Sequence, residues 1–571
     1  MNARVRIVVP AALASLLALT ALPAAGSESD RGGSQLGKIN HIVVIYQENH
    51  SFDNLYGGWE GVNGRGNAVA AQTLQVKQDG TTFNCLLQND VNLAGVQPAS
   101  CADTTGAPAN TAFTSHFGNA PFGIETFIPS SARTCPQPGV FAQHGLTPSP
   151  ANLPGGCTAD IVHKFYQEQY QLDNGKQDRY AVGSDAAGLT QGYFDTQALP
   201  IYQYLHQEDH PTYAIADNFF QSAFGGSFLN HQWLIAATTP TWPGAPAALH
   251  SIIDSNGMPT SYPLYKATGP VSDKPLAVSC PSPVAGRACG DFAVNTIQST
   301  YQPHGSGAQL PPQTGNTIGD ELSAAGVSWA WYSGGWSNAA GEVSAPGWTN
   351  GAGPVCADPD SKPNPAFPYC PNKVFQFHHQ AFNYFANYAP GTAARAQHLR
   401  DEAEFLGLAE SSTDEQCNLK SVSLIKPIGL QNEHPGYGSV AAGSQHTVDL
   451  ISAIEGSACA KDTMIVLTYD EFGGQWDHVA PPGQGGAAGP HDLWGPGTRI
   501  PALIIAPRLR GEFVVDGTQH DTTSILSTIE HRFGLTSLGT RDAAVNDLSS
   551  VFRARASGDD GGGGDDGGGG E

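Results

Sequence analysis

Three short apolar runs limit the folds open to this chain: His41–Gln47 (HIVVIYQ), Thr463–Tyr469 (TMIVLTY) and Ile500–Ala506 (IPALIIA). Each is rich in β-branched residues and reads as a buried strand. Tyr213–Ala216 and Val327–Tyr332 are weaker candidates. Helical patterns lie between them, most clearly after Asp521, where Ile525, Leu526, Ile529 and Phe533 keep one apolar face and Gly534 offers a stop. Strands alternating with helices imply an α/β fold built on a mostly parallel sheet flanked by helices.

Long stretches dense in Gly, Pro, Asn and Ser separate these elements, notably Ala68–Cys157 and Thr239–Pro312. Loops of this length are unusual in a compact domain unless functional or pinned, and these two hold six of the ten cysteines. The cysteines fall as near neighbours, Cys85 with Cys101, Cys135 with Cys157, Cys280 with Cys289, Cys356 with Cys370 and Cys417 with Cys459. Five local disulfides are the simplest reading, and they suit an oxidising compartment. Arg4 and Arg6 precede an apolar run, Ile7–Leu22, followed by Ala24, Ala25 and Gly26, the pattern of a secretory signal peptide. No later stretch is long and apolar enough to span a bilayer. The expected organisation is a signal peptide over 1–26, one large domain with disulfide-pinned insertions over 27–556, and an Asp/Gly tail over 557–571 that stays disordered. The protein is expected to be exported to the periplasm or the medium, with no stable membrane anchor.

In open parallel sheets, functional groups gather beyond the carboxyl ends of the strands. The first run leads into Glu48-Asn49-His50-Ser51-Phe52-Asp53, and the second into Asp470-Glu471-Phe472-Gly473-Gly474-Gln475-Trp476-Asp477-His478. Glu48, Asn49, Asp470 and Glu471 thus offer oxygen ligands to a hard divalent ion. Adjacent carboxylates with no Lys or Arg nearby are costly unless a cation compensates them. Gly225 and Gly226 place Ser227 on a tight turn before the helical stretch Trp233–Ala237. A serine at a helix start meets unpaired N–H groups and suits an alkoxide or a phosphate, although an N-cap serine needs no such role. The chain lacks a G-x-S-x-G elbow, so activation would fall to a metal. His163, the pair His378 and His379, and His434 are candidate donors to phosphate oxygens and a leaving group. The formal charge is −24, or about −19 once five acids of the tail are set aside, which repels nucleic acid and anionic lipid at long range. A small phosphorylated substrate can still be held at a local metal site.

The stretch Glu48-Asn49-His50-Ser51-Phe52-Asp53-Asn54-Leu55-Tyr56-Gly57 resembles the E-N-x-S-F-D-x-x-x-G signature of the bacterial acid phosphatase and phospholipase C family. Asp470-Glu471-x-Gly473-Gly474-x-x-Asp477-His478-Val479-x-Pro481-Pro482 is similar to that family's second signature, and the Ser227 and His434 segments fall in the family's order. The resemblance implies an alkaline-phosphatase-like core and one divalent metal ion held by Glu48, Asn49, Asp470 and Glu471, with Ser227 as nucleophile and further ligand. It also implies that His163 and His434 act on the phosphoryl group and leaving oxygen, with His378, His379 and Asn230 as substrate contacts. Gly226–His231 and Phe377–Gln380 look like the acid phosphatase branch, since phospholipase C members carry threonine followed by Asn-Arg at the nucleophile. The expected activity is therefore hydrolysis of phosphate monoesters through a phosphoseryl intermediate, fastest on the acid side of ~6.5 if an imidazolium is required. Rival expectations are a phospholipase C or other diesterase with the same site, and an inactive secreted binding protein on the same fold.

Overall fold

The computed structural model describes residues 28–554, apart from 78, 88–100, 102–114, 127–128, 132–160, 185–187, 251–289, 297, 299, 302–307, 353–355, 362–368 and 436. The signal peptide, the Asp/Gly tail, the pairs Cys135–Cys157 and Cys280–Cys289, and much of both long insertions lie outside the described residues. The other three disulfides, Cys85–Cys101, Cys356–Cys370 and Cys417–Cys459, form as expected.

Eight strands make one sheet: β1 (His41–Gln47), β2 (Tyr213–Ala216), β3 (Trp329–Ser333), β4 (Leu399–Asp401), β5 (Val422–Lys426), β6 (Thr463–Tyr469), β7 (Ala502–Ile505) and β8 (Phe513–Asp516). Their order is β8-β2-β7-β6-β1-β5-β3-β4. All neighbours run parallel except β7, which is antiparallel to both β6 and β2. Every residue of β6 is buried, and so are all of β1 beyond His41. Because successive side chains of a strand point to opposite faces, such runs require cover on both sides of the sheet. The helix Val440–Glu455 packs against Pro200–Leu205 and Glu402–Glu410, while Ser227–Ala236 packs against Thr523–Phe533 and Ile318–Ala324. The helix after Asp521 ends where expected, with Gly534 in the left-handed region at φ 66°. Among the described residues, no helix is long and apolar enough to cross a membrane.

Register places the site. β1 pairs with β6 from His41 opposite Thr463 to Gln47 opposite Tyr469, so Glu48 and Asp470 leave the sheet side by side. The Asp470 N–H donates to the Gln47 carbonyl at 3.0 Å and extends the ladder by one step. On the other flank β5 pairs with β1 as far as Ile425 opposite Ile45, which brings Lys426 to the same edge.

Candidate active site

At this edge the backbone itself is shaped around Asp470. Asn49 takes the left-handed conformation at φ 62°, which asparagine tolerates better than most residues. The turn points its N–H at Asp470 Oδ1 at 3.1 Å, and the Glu471 N–H reaches the same oxygen at 2.8 Å. The second motif crosses the first so closely that a Cβ on Gly473 would run into the Asn49 carbonyl, while one on Gly474 would meet Ile161 and the Val162 carbonyl. The Gly473 N–H donates to Glu471 Oε2 at 2.6 Å.

Ser227 opens the helix Ser227–Ala236, and its hydroxyl donates to Glu48 Oε2 at 3.1 Å. The loop before it is braced by Glu168 and Asn230. Glu168 accepts from the N–H groups of Gly225 (2.5 Å) and Thr498 (2.7 Å) and from the Gln221 amide (2.9 Å). Asn230 accepts from the Ala223 N–H at 2.9 Å and donates to the carbonyls of Ala223, Gly225 and Gly226. The Asn230 amide, expected as a substrate contact, is fully buried and makes these hydrogen bonds to the loop that carries Ser227.

The expected histidines surround this point. His379 Nδ1 lies 3.1 Å from Glu48 Oε1, with His378 packed edge-on at 4.2 Å and His434 ring to ring at 6.5 Å. His163 Nε2 lies 3.4 Å from the Asn49 amide and 3.5 Å from Glu471 Oε1. His231, four residues after Ser227, was not assigned a role from the sequence, although i,i+4 spacing puts it on the serine's face of the helix. Its ring stacks on His379 at 5.0 Å, and its Nδ1 is 3.8 Å from Asp470 Oδ2. Burial lowers the pKa of His231, His378 and His379, so these rings are neutral near pH 7.

The electrostatics correct one premise of the sequence reading. A cation does stand beside the carboxylates: Lys426, 1% exposed, pairs with Glu48 Oε1. Glu48, Asp470 and Glu471 are all fully buried, so three carboxyl groups crowd around one lysine. Burial, then the charge of Glu48, pushes Asp470 up to about 7. Burial, then Asp470, raises Glu471 well above the carboxylate range. Asp470 Oδ2 is buried and has no hydrogen-bond partner among the described residues. A hydroxyl, carboxyl oxygens and imidazole nitrogens gathered in one buried corner form a donor set that fits a divalent cation. Ligand atoms of Glu48, His231 and His379 lie within 4.8 Å of one another, so nitrogen donors also belong to this corner.

A second acidic group, Asp53, Asp477 and His478, is equally close-knit but already holds its cation. Arg499 donates through Nη2 to Asp53 (3.2 Å) and through Nε to both oxygens of Asp477 (3.1 and 3.2 Å). Its Nη1 donates to the carbonyls of Asn63 and Asp217 at 2.7 and 2.8 Å, while His478 Nδ1 meets Asp53 Oδ2 at 2.6 Å. These motif residues lock the two motifs together.

Parts of this chain are similar in sequence to known phospholipases. Phospholipase C B of Mycobacterium tuberculosis is 35% identical over 162 residues, 24% of this chain and 30% of that protein. Non-specific phospholipase C1 of Arabidopsis thaliana is 30% identical over 145 residues, 22% of this chain and 27% of that protein. Non-hemolytic phospholipase C of Pseudomonas aeruginosa is 27% identical over 163 residues, 24% of this chain and 23% of that protein. The chain spans at most 30% of the length of these relatives. Among solved structures, the lipoteichoic acid synthase LtaP of Listeria monocytogenes aligns over 67% of this chain and 74% of its own at 10% identity and a TM-score of 0.27. A variant of the alkaline phosphatase PafA aligns over 62% and 96% at the same identity and TM-score, 10% and 0.27. The match to the Phosphoesterase family runs over residues 39–536, and the chain belongs to that family.

Proposed function

We propose that this protein is an exported phosphoric ester hydrolase in which Ser227 attacks phosphorus and a phosphoseryl intermediate forms and is then hydrolysed. One observation carries the reading: the Ser227 hydroxyl stands at a helix start and donates to Glu48, between the carboxylates and the ring of histidines. Glu48, Asn49, Ser227, Asp470 and Glu471 would hold one divalent ion, with His231 as a nitrogen donor beside Glu48. When bound, the ion lowers the pKa of the serine hydroxyl and offsets charge on the phosphoryl oxygens.

The chain's own groups supply the rest. Glu48 Oε2 accepts the serine's hydrogen bond, so the proton has a destination as the bond from Oγ to phosphorus forms and the bond to the leaving oxygen breaks. The N–H groups of the helix start and the neutral His378 and His379 meet the equatorial oxygens. His163 Nδ1 lies 2.5 Å from the Ile161 carbonyl, which calls for an N–H there and turns Nε2 toward Asn49 and Glu471. His434 Nδ1 is tied to the Pro435 carbonyl at 2.7 Å in the same way. Either ring can protonate the leaving oxygen and then take a proton from the water that cleaves the phosphoserine.

Monoesters are the preferred substrates on this reading, from the Gly226–His231 and Phe377–Gln380 segments. The names of the relatives favour a second reading, a phospholipase C. Side-by-side assay of p-nitrophenyl phosphate, its bis-ester and phosphatidylcholine vesicles separates them, with metals restored singly to stripped protein. Monoester turnover at least tenfold above either diester supports the first reading, and the reverse order supports the second. Failure on all three with every metal leaves an inactive binding protein.

A further inference from the structure

The reaction outlined above has no task for Lys426, yet a buried lysine is among the least expected residues in a sheet core. It is the last residue of β5, and its Nζ donates to the carbonyls of Tyr46 at 3.1 Å and Gln47 at 3.4 Å and pairs with Glu48 Oε1. Lysine carries three N–H donors and no acceptor when protonated. Here all three partners are acceptors, so the group sits in the fold as an ammonium. Its position also divides the two oxygens of Glu48. Oε1 is taken up by Lys426 and His379, and Oε2 is left facing Ser227.

We propose that Lys426 is a positioning residue that fixes Glu48 and sets the charge of the cage, so that the site prefers a doubly to a triply charged cation. The proposal rests on the metal reading given above. Lys426 places one positive charge beside these carboxyl groups, and its removal leaves the cage one unit more negative. In a buried site that salt screens poorly, each added negative charge favours a trivalent ion over a divalent one.

The test is calorimetric titration of the metal-stripped, full-length protein with manganese(II) and terbium(III), with terbium luminescence as a second readout. Lys426→Met is expected to raise the terbium-to-manganese affinity ratio by about tenfold or more, and Lys426→Arg to keep it within about threefold of the parent. Should Lys426→Met fail to fold, Glu48→Gln and the double variant Glu48→Gln/Lys426→Met carry the same comparison, because removing both partners of a buried pair is milder than removing one. Glu48→Gln is expected to lower the ratio, and the added Lys426→Met to bring it back to the parent's. Equal ratios in the parent and Lys426→Met, or in Glu48→Gln and the double variant, overturn the role of Lys426 while leaving the metal site standing. A parent that binds no manganese, or binds it as well after Asp470→Ala, overturns the metal reading instead.

Discussion

Replacing Arg499 by methionine keeps the bulk of the side chain and removes its charge and all its donors. Arg499 is fully buried, and it is the cation between Asp53 and Asp477, themselves at most 1% exposed. Breaking such a pair from one side costs about 3–5 kcal/mol, because a buried charge is left without a partner. The carbonyls of Asn63 and Asp217 also lose a donor, at roughly 1 kcal/mol each. The sum is about 5 kcal/mol or more, against a total stability on the order of 5–15 kcal/mol for a folded domain. Urea unfolding followed by far-ultraviolet circular dichroism is expected to show a large drop in midpoint with little change in slope. Metal affinity should fall as well, because this lock holds residues 48–53 and 470–478 in register. An unfolding free energy within about 1 kcal/mol of the parent would refute the reasoning. So would a second equivalent of metal in the parent that Asp53→Asn removes, since the acidic group would then be a metal centre in its own right.

Ser227→Ala is expected to lower turnover by about a thousandfold or more, whereas Ser222→Ala, whose hydroxyl has no partner among the described residues, should keep it within about twofold; the opposite ranking in steady-state assays would misplace the nucleophile. Asp470→Ala is expected to empty the site, as read by elemental analysis of the purified protein, and a variant that keeps both metal and rate contradicts the ligand set. For Asp516, burial raises the carboxyl, but His520 and the Ser550 hydroxyl outweigh it and hold it at about 2. A depressed carboxyl contributes stability above its unfolded value near 4 and loses it as pH falls toward 2, so Asp516→Asn should cost about 2 kcal/mol at pH 7 and little at pH 2. A deficit in chemical unfolding that does not shrink with acid would dismiss this pairing.

Much of the candidate site was legible because its acidic residues follow β1 and β6, two runs so uniformly apolar that only a central strand accommodates them. Their direction was less legible. A run such as ALII carries no polarity, so nothing at residues 502–505 announces that β7 runs against its neighbours. β5 was passed over because VSLIK is short and ends in lysine, a residue that ordinarily marks the solvent side, and Lys426 was missed with it. Asp53, Asp477 and His478 stood in the quoted motifs, but their partner Arg499 lies 22 residues beyond Asp477 and carries no local signal. Asn230 sits one turn from Ser227, and nothing in the sequence announces that its amide braces the loop before the serine.

The two glycines before Ser227 have a mechanical consequence. A Cβ at Gly225 would stand 2.6 Å from the Phe165 nitrogen, and one at Gly226 would stand 3.0 Å from the His163 ring. The backbone that carries the Ser227 hydroxyl therefore leans directly on the segment that carries His163, with no side chain between them to absorb a displacement. Any change that tilts one tilts the other, so under the proposed mechanism bond making and leaving-group departure would be tuned together, and an alanine at either position should detune both steps at once.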